Sequence, residues 1–214
     1  MYLEKQVLTK NNNKIELFIN KKDADDSSKT ILFIGVVHGD EPQGEYLIHN
    51  LMKEVLETTN KLLFIPCLNP DGRDLNQRGN SNGVDINRNF PTENWEVSKE
   101  KDIYFAGEFA GSEIETRFLV EIIDEFSPDV IFIIHAPYKI VNYDGPAKEL
   151  AEKISVLNNY PVQADIGYPT PGSFGTYAGV ERNIPTITLE LPDSMDFETL
   201  WLENREAMIY TAIN

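Results

Sequence analysis

Four short apolar runs, rich in β-branched and aromatic residues, recur along the chain. They cover residues 30–37 (TILFIGVV), 61–67 (KLLFIPC), 130–134 (VIFII) and 185–191 (PTITLEL). Nearly continuous hydrophobicity over so few residues predicts strands that are covered on both faces. The pattern therefore favours a sheet sandwiched between layers of helices.

Helical patterns fill the segments between and after these runs. Pro42 stands at the first turn of one of them, where proline is well tolerated. Ser112 and Glu115 form a Ser-x-x-Glu capping-box pattern at the start of another. The predicted helices cover residues 42–58, 112–126, 146–157 and 196–213.

The alternation of strands and helices predicts an α/β fold with a mixed, largely parallel sheet. We expect a single domain over residues 1–214, with the polar segment 21–29 as a loop. Residues 69–108 and 163–173 lack a clean period. Loops of that length are uncommon in compact domains unless they build a functional site.

Composition and charge narrow the classes of function. Lys and Arg total 19 against 35 Asp and Glu, a formal net charge of −16 that disfavours a nucleic-acid partner. No apolar segment has the pattern of a leader or a membrane span, so we expect no membrane association. The solitary Cys67 fits a reducing compartment. The protein is therefore expected to be cytoplasmic.

Two histidines and a glutamate stand at predicted strand ends. His38 and Glu41 follow the first run, and Gly39 between them is expected to allow a tight turn. His135 closes the third run. Carboxyl ends of strands in open α/β sheets are where ligands bind. Two His and one Glu are the ligands of an open zinc site, whereas His49 lies within a predicted helix and is interpreted as a surface or packing residue.

Two further segments carry polar groups suited to catalysis. Asn87 and Arg88 lie in GVDINRNFP, where an arginine fork suits two-point binding of a carboxylate. The alternative is a polar loop that caps its own backbone. Glu190 lies near the end of the run PTITLEL, and a carboxylate there could move a proton between water and a leaving amine.

HGDE, NPDG, GVDINRNFP, the late histidine and LELP occur in this order between about residues 30 and 191. In this order the sequence resembles the zinc carboxypeptidases of the carboxypeptidase A type. The resemblance implies one zinc ion per chain, bound by His38, Glu41 and His135. It implies Glu190 as general base and then acid. It also implies Asp85 as the carboxylate that fixes the His38 ring.

The same resemblance implies how a substrate is held. Arg78 corresponds to the arginine that polarises the scissile carbonyl and stabilises the oxyanion. Asn87 and Arg88 correspond to the pair that binds the terminal carboxylate, and Tyr168 to a mobile tyrosine over the substrate. The expected partner is a small peptide with a free carboxylate. Asp40 departs from the digestive enzymes of the family, which carry an arginine there.

Within the family, HAPY, DIGYPTPGSFGTY and ITLELP are most similar to the murein peptide amidase branch. That branch hydrolyses the γ-D-glutamyl–meso-diaminopimelate bond of cell-wall peptides in the cytoplasm. Such a substrate carries an additional amine and carboxylate. Asp165 is one candidate to bind the amine.

Three other interpretations remain open at this stage. One is a zinc deacylase of the aspartoacylase and succinylglutamate desuccinylase type, which shares an HGxE motif. Another is a carboxypeptidase that trims peptidoglycan side chains. The third is an inactive, zinc-free binding module that keeps the fold. Sequence does not indicate the oligomeric state.

Overall fold

Eight strands of the described residues form one mixed sheet with helices on both faces. The computed structural model describes residues 1–20, 28–56, 58–98, 101–193 and 196–214, so most of the predicted loop 21–29 lies outside the described residues. The strands are β1 (Tyr2–Leu8), β2 (Lys14–Ile19), β3 (Thr30–Ile34), β4 (Lys61–Ile65), β5 (Val130–His135), β6 (Ile140–Asp144), β7 (Val162–Gln163) and β8 (Thr186–Glu190). The helices are α1 (Gln43–Glu54), α2 (Pro70–Leu75), α3 (Ile114–Phe126), α4 (Lys148–Asn158) and α5 (Phe197–Ile213).

The four predicted strands form the centre of the sheet. Strand order is β1-β2-β4-β3-β5-β8-β6-β7. The central strands β4, β3, β5 and β8 run parallel, while β2 and β6 flank them in antiparallel pairs. The α/β fold with a mixed sheet is thus confirmed. None of the helices in the described ranges has the length and apolarity needed to cross a membrane.

Successive residues of the central strands pack on opposite faces of the sheet, as the period of two requires. Ile31 and Phe33 of β3 belong to the core shared with α1, α4 and α5. Leu32 and Ile34 belong to the other core, which is shared with α3 and with the π-helix Gly175–Val180. Burial on both faces explains why the run from Ile31 to Ile34 is hydrophobic throughout.

The predicted capping box at Ser112 is wrong. Helix α3 begins at Ile114, and Glu113 occupies the position before it without a side-chain cap. The Ser112 hydroxyl donates to Glu113 Oε1 at 2.6 Å and accepts from Asn89 Nδ2 at 3.0 Å. Glu115 accepts a hydrogen bond from Asn80 Nδ2 at 3.1 Å. Contacts with the neighbouring loop therefore override the local capping pattern.

The buried carboxyl of Glu115 is expected to make stability depend on pH. Burial raises the pKa of Glu115 from 4.5 to about 7. The carboxylates of Glu113 and Asp71 add to this effect, and the hydrogen bond from Asn80 opposes it only in part. Between these pH values the folded state keeps a proton that the unfolded chain has released, so this group disfavours folding increasingly as pH rises. We expect Glu115→Gln to raise the free energy of unfolding by about 2 kcal/mol at pH 8.

Urea denaturation at pH 5 and pH 8 measures this effect, and the gain at pH 5 should be much smaller. Glu113→Gln is the control, and it should instead lower the free energy of unfolding at pH 8. Although burial opposes it, hydrogen bonds from Ser112, Asn80 and Asn82 lower the pKa of Glu113, so its carboxylate stabilises the fold above its unfolded pKa. A gain from Glu115→Gln that is equal at both pH values would contradict the assignment.

Candidate active site

The loop after β3 places His38 and Glu41 close together. The backbone N–H of Glu41 donates to the carbonyl oxygen of His38 at 3.2 Å, which closes a tight turn. Gly39 is not among the glycines with positive φ. A Cβ at Gly39 would instead lie 2.0 Å from the carbonyl carbon of Gly72. Glycine is thus required here because the backbone of α2 approaches closely.

His135 and Glu190 lie side by side at the ends of neighbouring strands. They are direct partners in the parallel pairing of β5 and β8. Strand β3 pairs with β5 on its other side. Because the carboxyl ends of these strands lie at one edge of the sheet, the loop with His38 and Glu41 faces the same space as His135 and Glu190.

His38, Glu41 and His135 direct their polar atoms at one point. Candidate ligand atoms of the three residues all lie within 4.8 Å of one another. His38 Nδ1 is 2.9 Å from Glu41 Oε1 and 3.1 Å from His135 Nδ1, and His135 Nδ1 is 3.1 Å from Glu41 Oε2. Two imidazoles and a carboxylate are the donor set of an open zinc site. The residues present therefore fit zinc.

The electrostatics of this cluster favour a cation. Burial alone would lower the pKa of His38, but the carboxylates of Glu41 and Asp85 outweigh burial and raise it to about 9. Despite burial, His38 and His135 hold the pKa of Glu41 well below its usual range. The pocket thus stabilises positive charge at the point where the three side chains meet.

Asp85 connects the histidine cluster to Arg78. It is fully buried. Asp85 Oδ1 lies 3.1 Å from His38 Nε2, and Asp85 Oδ2 accepts from Arg78 Nε at 2.9 Å. His38 thereby keeps Nδ1 directed at the cluster while Nε2 faces a carboxylate, the usual support for a metal-bound imidazole. Despite burial, His38 and Arg78 keep the pKa of Asp85 below its usual range.

The NPDG segment holds the backbone of Arg78 in place. Asn69 caps α2 by accepting from Gly72 N at 2.9 Å. Its side-chain amide donates to the carbonyl oxygens of Val37 and Arg78 at 3.2 and 3.3 Å. The Arg78 carbonyl also accepts from the N–H of Gly39 at 3.2 Å. Asn69 therefore joins the loop with Arg78 to the loop with His38.

Arg88 is a buried cation without a carboxylate partner among the described residues. It ends the 3₁₀ turn Ile86–Arg88 and is only 6% exposed. Its Nη1 donates to the carbonyl oxygen of Asn87 at 2.7 Å, whereas Asn87 Oδ1 accepts from Phe174 N at 2.8 Å. A buried guanidinium that lines a cavity and has no carboxylate within ion-pair distance in the described residues is suited to bind an anion.

Glu190 presents a buried carboxylate with one unpaired oxygen. Its side chain is 7% exposed, and Oε2 has no hydrogen-bond partner in the described residues. Burial is the main cause that raises the pKa of Glu190, and the nearby Glu41 adds to it. Such a carboxylate is a suitable proton acceptor and donor.

A cavity of about 270 Å³, hereafter the active-site cavity, is lined by every predicted site residue except Asp85 and Asp165, the candidate for binding the substrate amine. Tyr168 lies at its rim, 40% exposed, and burial together with a hydrogen bond with Tyr138 raises the pKa of Tyr168 to about 12. Asp165 lines neither this cavity nor the larger one beside it. Its Oδ1 accepts from Gly167 N at 2.7 Å.

Tyr104 is a residue of this site that sequence reasoning missed. Its ring centroid lies 5.4 Å from the guanidinium carbon of Arg78 and 5.5 Å from that of Arg88. The ring contacts both cations and lines the active-site cavity. Tyr104 falls in the aperiodic segment 69–108, where no pattern in the sequence distinguishes it.

Comparison with known proteins defines the class of protein. The zinc carboxypeptidase family matches residues 8–146, and the chain belongs to this family. It is therefore a metallopeptidase, a hydrolase with zinc as its cofactor. The matched range includes His38, Glu41 and His135, and Glu190 lies beyond it.

Two relatives of this chain are named murein peptide amidase A. Murein peptide amidase A of Escherichia coli (strain K12) is 32% identical over 177 residues, which covers 78% of this chain and 72% of the relative. The protein of that name from Vibrio campbellii is 32% identical over 179 residues, covering 78% of this chain and 71% of its own.

Solved structures agree with this assignment. Murein-tripeptide amidase MpaA from Escherichia coli O157 superposes with a TM-score of 0.78 at 26% identity, over 96% of this chain and 89% of that chain. Carboxypeptidase A from Helicoverpa armigera has a TM-score of 0.78 at 19% identity, over 96% of this chain and 66% of that chain, and shares the fold.

Proposed function

We propose that this zinc peptidase hydrolyses the γ-D-glutamyl–meso-diaminopimelate bond of murein peptides. The observation that carries the proposal is the buried Arg88, which has no carboxylate partner among the described residues and lines the cavity of the His38, Glu41 and His135 cluster. This arrangement favours a substrate whose free carboxylate lies near the scissile amide. The identity with murein peptide amidase A supports the choice of peptide.

The proposed chemistry uses Glu190 and Arg78. A zinc ion bound by His38, Glu41 and His135 would polarise the carbonyl and lower the pKa of water to about 7. Glu190 takes a proton from the attacking water and returns it to the departing nitrogen. Arg78 donates to the oxyanion of the tetrahedral intermediate, and Asp85 orients both Arg78 and His38.

Substrate register depends on the other side of the cavity. Arg88 and the side-chain amide of Asn87 hold the terminal carboxylate of the leaving residue. The side-chain oxygen of Asn87 accepts from Phe174 N. This bond leaves the side-chain nitrogen of Asn87 to donate to the substrate carboxylate. Tyr168 covers the bound peptide from the rim. Fixing the carboxylate aligns the scissile bond with Glu190.

The partner is a small peptide, and neither nucleic acid nor membrane is involved. The net charge of −16 supports the exclusion of nucleic acid. A cytoplasmic location is supported by the single cysteine, Cys67, which is buried and free.

Mass spectrometry of reaction products tests the proposal. The zinc-loaded protein is incubated with L-Ala-γ-D-Glu-meso-diaminopimelate, and we expect free diaminopimelate and L-Ala-D-Glu. Under the same conditions the tetrapeptide with a further D-Ala, N-acetylaspartate and N-succinylglutamate should remain intact. Absence of diaminopimelate release from the tripeptide would refute the proposed substrate.

The same assay separates the competing enzymes. Release of D-Ala from the tetrapeptide would indicate a carboxypeptidase that trims peptidoglycan side chains. Turnover of either N-acylated amino acid would indicate a deacylase. The NPDG and GVDINRNFP segments, with their contacts around Arg78 and Arg88, favour the peptidase.

A further inference from the structure

A tight turn joins Arg78 to Asp85, the two residues that form the ion pair beside the histidine cluster. The turn covers residues 79–84, and we call it the arginine turn. The backbone N–H of Asn80 donates to the carbonyl oxygen of Val84 at 2.9 Å, which brings the two ends of the turn together. The shape of the arginine turn therefore sets how Arg78 and Asp85 approach each other.

Asn80 is buried and uses every hydrogen-bonding position of its side-chain amide. Its Oδ1 accepts from the backbone N–H groups of Asn82 and Val84 at 3.0 and 3.2 Å. Its Nδ2 donates to Glu113 Oε2 at 2.7 Å and to Glu115 Oε2 at 3.1 Å. Backbone N–H groups only donate, so this network admits a single orientation of the amide. A buried amide that is satisfied at all its positions makes the turn rigid.

The two residues after Asn80 attach the arginine turn to carboxylates as well. Ser81 Oγ donates to Asp71 Oδ2 at 2.7 Å, and Asn82 Nδ2 donates to Glu113 Oε2 at 2.7 Å. Asp71 belongs to α2, and Glu113 directly precedes α3. Neither these acids nor the three turn residues line the active-site cavity. They therefore act on the reaction only through the residues that the turn carries.

Packing alone does not hold the guanidinium of Arg78, because its side chain is 22% exposed. Asp85 binds its Nε, and Asn69 binds its carbonyl oxygen. We propose that Asn80 is a positioning residue that holds Arg78 where it contacts the oxyanion of the reaction. This inference rests on the role proposed for Arg78. A displacement of about 1 Å at such a group lowers the rate by roughly 10²-fold.

Loss of the Asn80 side chain in Asn80→Ala is expected to lower kcat roughly ten- to hundredfold, because Arg78 then contacts the oxyanion less well. KM for L-Ala-γ-D-Glu-meso-diaminopimelate should change by less than about threefold, since Arg88 still holds the substrate carboxylate. Added to Arg78→Ala, the same change should lower kcat by less than about twofold, because its effect passes through Arg78. Steady-state kinetics of the four proteins measures this, and equal losses in both backgrounds would overturn the proposal.

The Nε–H group of Arg78 reports the position of the side chain without turnover. In zinc-loaded, isotope-labelled wild-type protein, Asp85 should protect the NMR signal of this group from exchange with solvent. The signal is assigned by its absence from Arg78→Ala. In Asn80→Ala we expect exchange to be at least roughly tenfold faster. Unchanged exchange would contradict the positioning role.

A reciprocal exchange tests the bond between Asn80 and Glu113, and it decides the question if Asn80→Ala does not fold. Asn80→Asp alone places a third carboxylate beside Glu113 and Glu115, so it should lower kcat as Asn80→Ala does. Combined with Glu113→Gln, it restores one donor and one acceptor with their places exchanged. At pH 6 Glu115, whose pKa burial raises to about 7, keeps its proton and donates. The double variant should therefore have at least about threefold higher kcat than Asn80→Asp, and no gain would overturn the proposal.

Asn158→Ala is the matched control. Asn158 is a buried residue of α4 whose side chain donates to Asn204 Oδ1 at 3.0 Å and accepts from Tyr160 N at 3.1 Å. It lies on the opposite face of the sheet from α3. Its loss should change kcat and the exchange of the Arg78 Nε–H by less than about twofold. Losses equal to those of Asn80→Ala would show that destabilisation alone explains the effect, against the proposal.

The positioning role and the proposed substrate can fail separately. If the wild-type protein releases no diaminopimelate but Asn80→Ala exposes the Nε–H of Arg78, the positioning role stands and the proposed substrate is wrong. If diaminopimelate is released and Asn80→Ala leaves both kcat and Nε–H exchange unchanged, the proposed substrate stands and the positioning role is wrong.

Discussion

Replacement of Glu190 by glutamine is expected to lower kcat by roughly 10²- to 10⁴-fold, the range that a positioned acid–base group contributes. Glutamine keeps the size of the side chain but cannot accept a proton from water. Glu190 is separate from the three residues whose ligand atoms converge, so the variant should keep stoichiometric zinc. Steady-state kinetics and metal analysis of the same preparation measure both quantities.

Asp193→Asn provides the control for lost charge. Asp193 is an exposed residue in the wall of the same cavity, three positions after Glu190. Its replacement removes the same charge and should change kcat by less than about threefold, since an exposed carboxylate is well screened. Activity above a tenth of wild type in Glu190→Gln, or loss of its zinc, would contradict the proton-transfer role.

The centre of the fold could be predicted because its signal is local. Runs such as TILFI and VIFII must be hydrophobic on both faces, and β3 and β5 form the parallel centre accordingly. Strands β1 and β2 escaped notice because the burial of β2 alternates and β1 is mostly exposed. β1 forms the edge of the sheet and β2 lies beside it, so neither has the continuous apolar run of the central strands.

The placement of the candidate site could be predicted from strand ends. His135 and Glu190 close two apolar runs, and strand ends share one edge in a parallel sheet. The structure brings both residues together with His38 and Glu41 as expected. Their chemical roles remain predictions, as does the single-domain organisation.

Contacts between loops lay beyond the reach of the sequence. The resemblance implied roles for Arg78 and Asp85 but not their direct ion pair, which depends on how the aperiodic segment 69–108 folds back on itself. Tyr104 lies in the same aperiodic stretch. The residues of this segment are held in place by many weak backbone and side-chain hydrogen bonds, so no periodic pattern in the sequence identifies them.

Replacement of His135 by alanine is expected to abolish stoichiometric zinc binding and with it nearly all activity. The site then keeps only His38 and Glu41, and a bare two-residue set holds zinc far more weakly than three protein ligands. Zinc should raise the melting temperature of the chelator-treated wild-type protein, because a ligand that binds only the folded state stabilises it by about 4 kcal/mol at a thousand times its Kd.

His49→Ala is the matched control for this experiment, since it removes an imidazole that lies on α1 with its side chain 49% exposed. After chelation and dialysis, wild type and His49→Ala should regain zinc, melting temperature and turnover together when zinc is added. His135→Ala should regain none of them. Retention of one zinc per chain by His135→Ala would refute the ligand assignment. A wild-type protein that neither binds zinc nor responds to it would instead indicate a binding module that keeps the peptidase fold.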